Sequence, residues 1–135
     1  MAEVRVERSE SRERVYAMIQ SYEDLLVYRK AYDISLEIHR QSLALPRQEQ
    51  YELASQIRRS SKSVAINIAE GHGKDSSPAE FKRYLTIARG SAIETRVHLR
   101  YCVDLGYLDE TEYQHLDSKY EEISKMLYKL IKVWK

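Results

Sequence analysis

Cysteine is nearly absent from these 135 residues: Cys102 stands alone, so an internal disulfide is excluded and a reducing compartment is expected. Proline and glycine are scarce, with two and four copies, too few turn residues for a fold of many short strands. No stretch approaches the roughly 18 uncharged apolar residues of a membrane span. The opening MAEVRVERSESRERV alternates charges and lacks the apolar run of a signal peptide, so the expected location is cytoplasmic and no membrane partner is expected. What is present is 43% hydrophobic and 32% charged residues, too apolar for disorder and long enough for one domain that folds without metal or disulfide. Net charge is only +1, but residues 51–100 carry nine Lys/Arg against five Asp/Glu, while the flanking stretches are slightly acidic.

Hydrophobic periodicity divides the chain into four helical segments. The first, Tyr22 to Ala44, ends ahead of Pro46 and carries two apolar stripes. Leu25, Tyr28, Tyr32, Leu36 and Leu43 form one, and Val27, Ala31, Ile34, Ile38 and Leu45 the other. One stripe docks a surface helix; the second suggests deeper burial or a subunit contact. The second segment, Arg47 to Glu70, sets Leu53, Ile57, Val64 and Ile68 on one face beside Ala54, Ala65 and Ala69, and Gly71 is read as its stop. Small residues there, Ser60, Ser61 and Ser63, permit close helix approach. The third opens with Ser77, Pro78 and Glu80, a cap, a first-turn proline and a capping box, and runs to Leu105 before Gly106. The fourth starts at Asp109, with Glu112 three residues on, and reaches the C-terminus. The expected fold class is all-α, an antiparallel up-down-up-down four-helix bundle over residues 21–135. Residues 1–20 form an N-terminal extension, for which a helical arm (Val15, Met18 and Ile19 recur crudely) and a flexible tail are both open.

Motifs that carry chemistry are incomplete. Gly71-x-Gly73-Lys74 lacks the glycine spacing, the Ser/Thr and the preceding strand of a phosphate loop. Glu112 and His115 make one Glu-x-x-His pair where a bundle di-iron site needs two. His98 and Cys102 supply two ligands, short of a zinc site. No serine or cysteine is marked as a nucleophile beside a histidine. Neither metal, cofactor nor catalytic residue is expected.

The cations form a pattern. Arg58, Arg59 and Lys62 lie within about a turn of one another, Lys74 follows in the loop, and Lys82 and Arg83 open the third segment, where Arg96 and Arg100 share a face. Such groups contact nucleic-acid phosphates without reading sequence; the alternative is a solvated face. Asn67, Glu70, Arg89 and Glu94 sit among apolar neighbours and are read as a structural polar network that fixes register or subunit geometry.

Two runs of residues resemble a known family. They are Gln56-Ile57-Arg58-Arg59-Ser60-Ser61-Lys62-Ser63-Val64-Ala65-Ile66-Asn67-Ile68-Ala69-Glu70-Gly71 and Glu80-Phe81-Lys82-Arg83-Tyr84-Leu85-Thr86-Ile87-Ala88-Arg89-Gly90-Ser91-Ala92-Ile93-Glu94. Leu26-Val27-Tyr28-Arg29-Lys30-Ala31 and Leu105-Gly106-Tyr107-Leu108 fit as well. The sequence is similar to the S23 ribosomal proteins, four-helix bundles associated with intervening sequences in 23S ribosomal RNA genes. The related accessory variability determinants of diversity-generating retroelements are basic bundles that bind nucleic acid and associate with a reverse transcriptase. The resemblance implies a homopentamer acting without catalysis as an RNA- or DNA-binding accessory, partnered by a reverse transcriptase. A scaffold for protein partners, with no nucleic-acid role, is the alternative.

Overall fold

Apolar side chains at helical spacing, cut by short polar breakers, give four helices packed together in the computed structural model, which describes residues 22–134. After a 3-10 turn at Tyr22–Asp24 come α1 (Leu26–Leu43), a second 3-10 turn (Arg47–Glu49), α2 (Leu53–His72), α3 (Pro78–Asp104) and α4 (Glu110–Val133). Among the described residues there is no strand and no helix long and apolar enough to cross a membrane. The extension at residues 1–20 lies outside the described residues.

The helix boundaries have local causes. The Ser77 hydroxyl accepts from the Glu80 amide at 3.3 Å, with Pro78 in the first turn of α3. The reciprocal half of the capping box does not form: the Glu80 carboxylate takes the Arg83 guanidinium at 2.7 Å instead. Asp109 caps α4 by accepting from the Glu112 amide at 2.8 Å. α3 ends in a Schellman turn. Tyr107 N–H donates to the Cys102 carbonyl and Gly106 N–H to that of Val103, with Gly106 at φ 82, a conformation that favours glycine.

α2 begins six residues later than the periodicity predicts, because a polar latch holds the segment before it. Gln50 Nε2 donates to the Ser42 and Leu45 carbonyls, both at 2.9 Å, satisfying orphan acceptors at the end of α1. Arg58 reaches back to the Gln50 carbonyl at 3.1 Å and the Ser42 hydroxyl at 2.8 Å. Gly71 does not stop α2 either; it lies inside the helix and is buried. A Cβ there would meet Tyr84 Cβ at 2.9 Å and Phe81 Cδ1 at 3.1 Å, so this glycine serves the close approach of α2 to α3.

The core takes the Val27, Ala31, Ile34 and Ile38 stripe of α1 together with Val64, Ile68, Phe81, Leu85, Leu99, Leu116 and Leu127. Each of these side chains larger than alanine contributes roughly 1.5–3 kcal/mol relative to exposure. Phe81 meets Trp134 edge-on at 4.8 Å, joining the start of α3 to the end of α4. Of the α1 stripe that begins at Leu25, Leu25 is buried and Tyr28 half-buried, while Tyr32, Leu36 and Leu43 remain exposed. Leu105, the residue that closes α3, is exposed too.

Candidate nucleic-acid interface

α3 carries different chemistry along its two flanks. Toward α2 the contacts are small and hydroxylic: Ser60 and Thr95 share a hydrogen bond of 2.8 Å, and Ser63 and Ser91 one of 2.9 Å. Toward α4 lies a row of cations, Lys82, Arg89 and Arg96 at seven-residue spacing, with Arg100 one turn beyond. Arg89 lies 5.0 Å over the Tyr128 ring, Lys132 lies 5.7 Å over the same ring, and Arg100 lies 4.9 Å over Tyr113.

The carboxylates are distributed unevenly along this row. Arg96 forks onto Asp117 at 2.9 and 3.2 Å, with Glu121 at 3.6 Å, and the Asp117 hydrogen bond raises its pKa. Lys82, Arg89, Arg100 and Lys132 have no carboxylate within ion-pair distance among the described residues. Arg89 is half-buried, and its Nε is buried without a hydrogen-bond partner. Two cations thus share one half-exposed tyrosine with no acid between them. Because Phe81 packs on Trp134, and His72 lies edge-on to Phe81 at 6.5 Å, the α2–α3 turn and the end of α4 are neighbours. Lys74, Lys82, Arg83 and Lys132 gather at that end of the bundle.

The other cations of the sequence pattern fall in separate places. Arg58 belongs to the Gln50 latch and Arg96 to the Asp117 fork, so both guanidinium groups are committed within the fold. Lys62 Nζ lies 3.1 Å from His39 Nδ1 on the α1 side of α2, and Arg59 is exposed on the outer surface of α2. Arg83 lies 4.6 Å over Tyr84 and is bonded to Glu80; that bond, helped by the Lys74 charge, holds the Glu80 carboxyl below its ordinary range.

Asn67, Glu70, Arg89 and Glu94 do not join into one network. Asn67 donates to the Ser63 carbonyl and hydroxyl, Glu94 bonds His98 at 3.1 Å, Glu70 is exposed, and Arg89 faces α4 on the other flank of α3. Helical spacing separates them, since position 89 and positions 91 and 95 point to different neighbours. Sequence reasoning missed Tyr128 and Lys132; their signal is the four-residue spacing of an aromatic and a cation on α4.

Other polar clusters do not assemble into a metal site. His115 meets Glu37 at 2.9 Å, and Cys102 lies in the core, where burial pushes its thiol up to about 11. Among the described residues no group of three His, Cys, Asp or Glu is placed to hold a metal ion.

Comparison with known proteins places this geometry in a family. No curated protein matches the chain. A crystal structure of a protein of unknown function from the S23 ribosomal protein family of Bacteroides thetaiotaomicron matches with a TM-score of 0.73 and 28% identity, over 79% of this chain and 96% of that one. The family model for the 23S rRNA-intervening sequence protein matches residues 23–129. The chain therefore belongs to the 23S rRNA-intervening sequence protein family.

Proposed function

We propose that this protein is a non-enzymatic, oligomeric accessory that binds RNA or DNA through phosphates, without reading sequence. The observation that carries the reading is the cation row between α3 and α4: Arg89, Arg100 and Lys132 are held over tyrosines, Lys82 stands in the same row, and none of the four has a neutralising carboxylate among the described residues. A guanidinium fixed against a ring keeps its N–H donors in a set geometry, which suits phosphate oxygens. Lys74 and Arg83 extend the surface at the end of the bundle, and Arg59 adds a cation on the outside of α2.

The remaining parts of the reading are an antiparallel bundle, assembly as a homopentamer and a cytoplasmic setting. Contacts between α2 and α3 that run from Gly71 with Phe81 to Ser60 with Thr95 support the antiparallel arrangement. Five copies of a modest patch on one long polyanion gain avidity that one copy lacks. A reverse transcriptase that copies a structured RNA is the proposed protein partner, on the strength of the family resemblance.

The test is a titration with structured RNA and with duplex DNA at low and moderate salt, alongside a mass measurement in solution. Affinity that falls steeply with salt is expected. An assembled protein that ignores both nucleic acids would favour a protein-docking scaffold, a reading supported by the exposed apolar rows on α1 and α3.

A further inference from the structure

Two apolar rows are left uncovered, and they stand on opposite corners of the bundle. α1 packs against α2 and α4, α3 packs against the same two helices, and α1 and α3 stand diagonally across the core. On the outward side of α1, Tyr32, Leu36 and Leu43 are 47%, 38% and 60% exposed. On the outward side of α3, Ile93, Val97 and Tyr101 are 43%, 50% and 56% exposed. Tyr32 and Leu36, like the three α3 residues, follow a four-residue step, so each row forms a ridge along its helix.

A second observation singles out α3. Gly90 lies in the helix interior on the same outward face, three and seven residues before Ile93 and Val97, and a Cβ built on it meets nothing within 4 Å. The chain's own packing gives no reason for a glycine there, although glycine is among the least favourable residues inside a helix. A second backbone passing close over that point supplies the reason. The borders carry charges that can pair across a contact: Arg29 and Arg40 flank the α1 row about 16 Å apart with Asp33 between them, and Glu94 and Asp104 flank the α3 row about 15 Å apart, at 1.5 Å per residue, with Arg100 on its other side. Through α4 the rows stand at similar height, since Glu37 bonds His115 and Arg100 lies over Tyr113.

We infer that the outward row of α1 in one copy docks on the outward row of α3 in a second copy of this chain, with the neighbouring helix passing over Gly90. This rests on the self-assembly proposed above and adds which surfaces meet. Because the two surfaces differ, the contact is heterologous: every copy offers one corner and receives at the other, so contacts propagate and a ring results where the rotation closes.

Oxidative cross-linking of Leu36→Cys and Val97→Cys tests the pairing, with buried Cys102 left in place. The mixture of the two variants should give a disulfide-linked pair of chains, and neither variant alone should. Leu36→Cys linking to itself, or an unlinked mixture that light scattering shows to be assembled, would overturn the inference while leaving self-assembly intact. A wild-type protein of single-chain mass, 15.9 kDa, at micromolar concentration would remove both. Val97→Glu should reduce the assembly to that mass with helicity unchanged; an assembly that survives the charge contradicts the docking.

Discussion

The two flanks of α3 are built on opposite terms. Against α2 the backbone comes close, and the polar groups there are small and answered: Ser60 by Thr95, Ser91 by Ser63, Asn67 by Ser63. Against α4 the spacing is wide enough for guanidinium groups and phenol rings, and donors remain unanswered, most clearly Arg89 Nε. A satisfied seam needs no ligand and acts as structure. A seam with half-buried cations and no acids, except at Arg96, keeps hydrogen-bonding capacity for something outside the chain.

The largest effect should come from breaking the close seam. Gly71→Val places side-chain atoms against Tyr84 and Phe81, and denaturant unfolding should show a loss of about 3 kcal/mol or failure to fold. Next is the latch: Arg58→Ala removes bonds to Ser42 and Gln50 and should lower stability by about 2 kcal/mol, with nucleic-acid affinity unchanged when measured on the folded fraction. Thr95→Val should cost about 1 kcal/mol, since it removes the bonds to Ser60 and to the Ser91 carbonyl and leaves Ser60 only its long 3.4 Å bond to the Ile57 carbonyl, and Ser60→Ala added to it should cost less than it does alone.

The smallest stability effect belongs to the open seam. Arg89→Gln gives up a cation–π contact, about 0.5–1 kcal/mol at most, yet should weaken RNA binding measurably. Alkaline titration adds an independent probe of the core between the seams. The Cys102 thiol ionises at about 11 in the folded protein against a reference of 9.0, so the unfolded chain loses its proton first as pH rises. Stability should therefore fall between those values, and alkylation of the native thiol should stay slow at pH 8 and become rapid on unfolding.

Much of this comparison is legible in the sequence. Ser77, Asp109 and Gly106 announce their helix ends because capping and positive φ are local chemistry. The two α1 stripes are readable too, but not which of them enters the core: Val27, Ala31, Ile34 and Ile38 do, while Tyr32, Leu36 and Leu43 stay exposed. The fate of individual cations is not legible there. Arg58 is spent on Gln50 and Ser42, sixteen residues back in the second case, and Arg96 on Asp117, twenty-one residues ahead; no helical periodicity links such partners. Gly71 reads as a stop signal in sequence and is a packing device in space, since only the position of Tyr84 distinguishes the two. Arg89, grouped by sequence with Asn67, changes company because α3 turns it toward α4.

The most direct test of the contrast between answered and unanswered cations compares Arg89→Gln with Arg96→Gln in RNA binding across a salt series. Loss of Arg89 should lower the slope of log affinity against log salt by about one, while loss of Arg96, already committed to Asp117, should leave it unchanged. Equal slopes for both variants and the wild-type protein, or a change confined to Arg96→Gln, would contradict the account.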